Sequence, residues 1–221
     1  MKTGQLVAVM LTITTMAFAA ETKPVELKLE LPRPIDRGTP QAIQLPHLEP
    51  TNTLPVKIMV PEDTSNVAKG KKVTSSDSVP VIGELELITN GDKDGADGNF
   101  VELGPGLQWV QIDLGAKHAI YAIAVWHFHA DPRAYHDVIA QVSNAPDFLT
   151  DVKTVYNNDH DNSAGMGIGT DKAYIETFHG RLIDTKGVIG RYVRLYSKGS
   201  THDEMNHYIE VEVYGAPEPK K

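Results

Sequence analysis

The sequence predicts an all-β protein whose folded part is a sandwich of short strands. Three observations predict it. Beyond residue 65, strand-like runs recur between Gly, Asn and Asp clusters, and no stretch keeps a sustained helical period. Fourteen of the 15 aromatic residues also lie beyond residue 65, so the core is built there. Eight of the 14 prolines fall in residues 21–64, which hold no aromatic residue, and their spacing forbids any helix beyond a turn or two.

The elements follow in chain order. Residues 1–20 read as a secretory signal peptide. Lys2 precedes an apolar run diluted by Thr12, Thr14 and Thr15, and Ala17-Phe18-Ala19 offers a cleavage pattern before polar Glu21. The run is shorter than the roughly 20 apolar residues a membrane span needs. Export to the periplasm, the cell surface or the medium is therefore expected. Residues 21–64 read as a proline-rich linker. Two runs in it, 25–31 and 56–60, alternate as strands do, and whether they join the domain stays open. The folded domain is expected over 65–216, with a polar tail at 217–221. Its clearest strands are 107–114, 118–128, 135–143, 173–178, 191–197 and 207–214. In the last, Ile209, Val211 and Val213 share one face, and Tyr208, Glu210, Glu212 and Tyr214 share the other.

Composition excludes several function classes. The chain has 221 residues, 29 acidic against 21 basic, for a net charge of −8. A general nucleic-acid binder needs a positive footprint, and anionic lipid would be repelled. No Cys is present, which removes disulfides, thiolate metal sites and thiol nucleophiles.

Six segments carry a specific resemblance. They are NVAKGKKVTSS at 66–76, ITNGD at 88–92, QWVQIDLG at 108–115, QVSNAPDF at 141–148, GRYVRL at 190–195 and IEVEVYG at 209–215. In this order they resemble the discoidin family, also called coagulation-factor type C domains, of the galactose-binding-like superfamily. The resemblance covers about 66–215. It implies a jelly-roll β-sandwich that binds glycans or cell surfaces and is not an enzyme. Two departures stand out: the terminal Cys pair of animal members is missing, and an insert at 157–172 is rich in Asn, Asp and Gly.

Asn90, Asp92 and Asp94 place oxygen side chains at alternate positions before Gly95, a turn able to wrap a hard cation. It is not an EF-hand, because the twelfth loop position is Val101. The resemblance implies one structural calcium held by Asn90, Asp92 (side chain or carbonyl) and Glu210, with Asp94 and Glu102 as additions. The competing reading is an ordinary Asx-rich turn with Glu210 solvated.

The segment 126–137 ends one strand, turns at Pro132 and starts another. His127 and His129 share a strand face, and Arg133, Tyr135 and His136 follow. Imidazoles, a guanidinium and a ring at a loop rim suit a hydroxyl-rich ligand. The resemblance implies ligand roles for His127 or His129 and for Arg133. From the insert, Asp159, His160 and Asn162 are expected to frame the same pocket. The alternatives are a packed His and an Arg paired with Asp131 or Asp137. Asp159, Asp161 and Ser163 also alternate as cation ligands, but Ala164 replaces the turn glycine. His127-x-His129 with His136 or His160 suggests a transition-metal enzyme as a further alternative, although no H-E-x-x-H or nucleophile elbow accompanies it. The expected function is an exported, non-catalytic carbohydrate- or cell-surface-binding module, its partner a glycan or an envelope component. The alternative is a protein-binding adhesion or scaffold module.

Overall fold

The computed structural model describes residues 23–34, 42–50, 56–95 and 98–218. The expected leader and the last three residues of the tail lie outside the described residues. Eleven strands are present among them: β1 (Pro24–Glu26), β2 (Met59–Pro61), β3 (Ser65–Asn66), β4 (Lys72–Ser75), β5 (Val101–Leu103), β6 (Gln108–Trp126), β7 (Ile139–Ser143), β8 (Lys153–Asn157), β9 (Arg181–Ser197), β10 (Asn206–Tyr208) and β11 (Glu210–Pro217). The main sheet runs β3-β11-β6-β9-β7-β8, with β4 also on β6, and every pairing in it is antiparallel. A second, two-stranded sheet pairs β10 with β5.

The spine is β6 with β9. The runs expected at 107–114 and 118–128 form one strand. It breaks register with β9 between Asp113 and His118, around Gly115. Its first half pairs with β4, and its second half pairs with β11. Val110, Ile112 and Leu114 from the first half join Ile123, Val125, Val211 and Val213 in one buried cluster. Alternation explains the choice: inward positions are apolar, while Gln111 and Asp113 turn outward to meet Arg194 and Arg191.

The second half of β6 is apolar at almost every position because both of its faces are covered. The outer cover comes from the proline-rich segment. Val25 of β1 pairs with Val60 of β2, and this ribbon packs Ile58 and Val60 on Ala122, with Tyr121, Leu182 and Tyr214 around them. The run 25–31 thus contributes two of its seven residues to β1, and the run 56–60 two of its five to β2.

Two other expectations shift. The run 173–178 forms no ladder strand, although it alternates: Tyr174 and Glu176 are buried, and Thr177 is exposed. Its backbone bonds go instead to residues of separate segments, Ala173 to His47 and Glu49 and Glu176 to Arg133. The run 135–143 is strand only from Ile139, since Tyr135 makes an isolated bridge to Ser200. The strand β8 was not expected, because its Lys153-Thr154 start reads as loop.

Candidate functional site

The segment that leaves β6 carries most of the expected ligand residues, and the structure buries them more deeply than a rim would. Trp126 is fully buried, and its indole N–H donates to the Phe178 carbonyl at 3.0 Å. The close approach needs Gly180, where a Cβ would meet the Trp126 ring at 2.6 Å. His127, one residue on, points into the molecule. Its Nδ1 lies 2.7 Å from Glu176 Oε1, with the side chains 0% and 1% exposed. Its ring stacks on Tyr135 at 4.5 Å. The Tyr135 hydroxyl donates to His207 Nδ1 at 2.9 Å, and His207 Nε2 lies 2.9 Å from Glu102 Oε2. Burial holds the His207 imidazole below its usual pKa. The Tyr135 phenol is pushed well up, again by burial.

The expectation of an open rim at His127, His129 and Tyr135 is thus corrected. These side chains are core or near-core groups, because the segment leaving β6 runs through the interior and polar partners from 176, 93 and 207 meet them there. The polar core is incompletely paired: His127 Nε2, Glu176 Oε2, Tyr174 Oη and Arg133 Nε are buried with no hydrogen-bond partner. Glu176, His207 and Tyr174 were missed in the sequence. The only available signal was the inward alternation of 174 and 176.

Arg133 marks the surface end of this cluster. Its side chain is 4% exposed and stacks on Phe128 at 4.7 Å. It faces Asp131 and Asp203 at 3.4 Å each, two carboxylates that are both about one-third exposed. Of the alternative partners expected for it, Asp131 is the one present, and Asp203 joins it. Beyond Asp203 opens a shallow cleft of about 540 Å³, lined among others by His136, Lys198, Ser200, His202 and Glu204. Of the expected ligand residues, His136 is the one that lines this cleft. The loop 198–206 forms the other wall.

The insert is an ordered loop. Asp159 is fully buried, and its carboxylate accepts the Ser163 and Ala164 amides at 3.0 and 2.9 Å. Asn162, at φ 59°, accepts the Gly167 amide at 2.7 Å. Both residues shape the loop, which corrects their expected place in a pocket wall. His160 stacks on His47 at 3.9 Å, away from that cleft's lining. Carboxylates of Asp137, Asp159 and Asp161 do gather at the base of the insert.

The turn 90–95 lies where the resemblance places it, over the last strand. The Gly91 amide donates to Glu210 Oε2 at 3.0 Å, while Oε1 of this fully buried residue has no partner. Burial pushes the Glu210 carboxyl up to about 8. Asn90 and Asp92 accept the Asp92 and Asp94 amides at 2.7 and 3.0 Å, and the side chains of Asn90, Asp92 and Asp94 face solvent. Between them Lys93 turns inward, its ammonium 2.8 Å from Glu212 and its carbonyl 2.9 Å from His129 Nε2. A hard cation fits the unpartnered Glu210 oxygen. The exposed carboxylates do not converge on that oxygen in this structure.

No protein-family model matches the chain, and no curated protein does. Solved structures do match. One is a truncated AlyQ with CBM32 and alginate lyase domains, with 16% identity and a TM-score of 0.51, covering 71% of this chain and 34% of that one. Another is a family 89 glycoside hydrolase from Clostridium perfringens, with 16% identity and a TM-score of 0.50, covering 71% of this chain and 16% of that one. A third is the CBM32 of AlyQ in complex with 4,5-unsaturated mannuronic acid, with 16% identity and a TM-score of 0.49, covering 66% and 95%. The chain shares the fold of the first two of these structures, an antiparallel β-sandwich of jelly-roll type. Among the described residues no helix is long and apolar enough to cross a membrane.

Proposed function

We propose that the chain is an exported, non-catalytic carbohydrate-binding module whose ligand is read at the cleft beside Arg133. The observation that carries this reading is the pairing of Arg133 with Asp203, whose residue lines the cleft. The guanidinium is nearly buried, lies 4.7 Å over the Phe128 ring, and faces the partly exposed carboxylates of Asp131 and Asp203 at 3.4 Å each. Asp203, His136, Ser200 and Lys198 then offer acceptors and donors around one shallow opening, the kind of set that vicinal hydroxyls engage. The fold supports the same reading, because structures that share it carry CBM32 domains.

Calcium is proposed as a structural ion at the turn 90–95. Glu210 would hold it through the unpartnered oxygen, and Asn90, Asp92 and Asp94 would contribute carbonyl or side-chain oxygens. The ion would supply a counter-charge to a buried carboxylate.

The test is a glycan array and calorimetry on the purified chain, with and without chelator. Asp203→Ala and His136→Ala are expected to weaken the best neutral glycan about tenfold or more, each removing a hydrogen-bonded contact. Glu210→Gln is expected to abolish calcium-dependent thermal stabilisation while keeping the Gly91 bond. Absence of binding to any glycan by a folded, calcium-loaded chain would overturn the reading. The adhesion-module alternative predicts instead a protein partner that free sugar does not displace.

A further inference from the structure

Residues 45–49 form a short strap outside the sandwich proper, and its contacts have an unusual chemistry. Leu48 bridges Ala173 in parallel, with the Glu49 amide donating to the Ala173 carbonyl at 2.8 Å and the Ala173 amide to the His47 carbonyl at 3.2 Å. Two side chains face the domain. The Glu49 carboxylate meets Arg181 Nη1 at 2.8 Å, with both groups 21% exposed. The His47 ring lies on the His160 ring at 3.9 Å and 28°. His47 holds a left-handed backbone, φ 60°, to do so. Beneath the strap, the Arg181 guanidinium is walled by Tyr156 at 5.3 Å and Tyr174 at 4.7 Å.

Taken from the domain's side, this is a recognition site filled in cis. A guanidinium set against two aromatic rings is prepared for a carboxylate. The face of His160 is prepared for a flat group stacked on it. The Ala173 amide and carbonyl offer one donor and one acceptor on the same line. A carboxylate, a ring with an apolar face, and hydroxyls able to use Ala173 occur together in one residue of a uronic acid. We propose that Arg181, His160 and the Ala173 backbone form a second site, for a carboxylate-bearing sugar of an acidic polysaccharide, and that the strap occupies it through Glu49 and His47 until displaced. The inference rests on the glycan-binding reading, but its site is separate from the Arg133 cleft.

The charges that bear on this site oppose one another. The chain's net charge of −8 repels a polyanion at long range. The attraction must therefore be local to Arg181, and the strap's carboxylate must be moved first.

The experiment titrates trigalacturonate, and separately the best neutral glycan of the array, into the full chain by calorimetry at moderate salt. The variants are His47→Ala/Glu49→Gln, the same pair with Arg181→Gln, and the same pair with Arg181→Lys, which keeps the charge if the Gln variant unfolds. Removing the strap's two groups is expected to tighten trigalacturonate tenfold or more and to leave the neutral glycan unchanged. Either change at Arg181 is expected to return the acidic sugar to its original affinity or below. A strap variant that binds trigalacturonate no tighter than the parent would overturn the proposal, as would a gain that survives loss of Arg181. An acidic peptide bound as tightly at the same residues would overturn the sugar assignment. If neutral glycan still binds at the cleft in such a case, only the second site falls; if no glycan of either kind binds, the function falls with it.

Discussion

At the scale of single residues, the molecule is most informative where polar groups are buried. His207 sits between a phenol and a carboxylate, hydrogen-bonded to Tyr135 and Glu102, and burial holds its pKa below the usual value. In the unfolded chain the same imidazole takes a proton near pH 6.5. As pH falls below that value, the unfolded state binds the proton first, and stability declines toward the lowered folded pKa. Thermal melts between pH 7.5 and 5 should show this loss, and His207→Gln should flatten it; an unchanged slope would remove His207 as the cause. Residue types at the site were legible in the sequence, whereas their depth was not. His127, Arg133 and Tyr135 stand out in the segment 126–137, but only the distant Glu176 and His207 explain why two of them are core groups. Neither partner has a local signature, since each lies at least 49 positions from its contact. The Asn90–Asp94 turn and Glu210 were legible together because a family pattern links them across 119 positions, as the Gly91–Glu210 bond does in space.

At the scale of elements, strands with a wet face were the readable ones. Gln111 and Asp113 alternate against Val110, Ile112 and Leu114, so the first half of β6 declares its inward side. Its second half, with Ala122, Ile123, Ala124 and Val125 all buried, shows no alternation, and the element that covers its outer face lies some 60 residues upstream. Proline-rich composition suggested an extended spacer at 21–64. Within that segment, however, Ile58 and Val60 are buried at 4% and 3% exposure. Burying each such side chain contributes about 1.5–3 kcal/mol. Val60→Asp would place a charge against Ala122 and is expected to cost roughly 2–4 kcal/mol. Urea unfolding followed by Trp126 fluorescence measures it, and a cost below ~0.5 kcal/mol would show that the ribbon adds nothing to the sandwich.

At the scale of the whole molecule, the proposed sites lie in connections and tethering segments, and the sandwich holds them in place. The cleft draws on the loops 131–137 and 198–206, the cation turn precedes β5, and the strap site joins residue 47 to residues 160, 173 and 181. Fold class could be argued from six ordered segments because those segments are the frame. Ligand identity could not, because the loops carry it through geometry rather than composition. The frame itself has a consequence for how the molecule opens. β6 and β9 pair along nearly their full length, and each contributes to both halves of the main sheet. No half can separate without parting the same two strands. Native-state hydrogen exchange should therefore find a single opening free energy for the slowest amides of Val110, Ile123, Ile183 and Val193, equal to that of global unfolding. Distinct values for the two halves would show that the continuous strands act as a hinge and leave the sandwich free to breathe in parts.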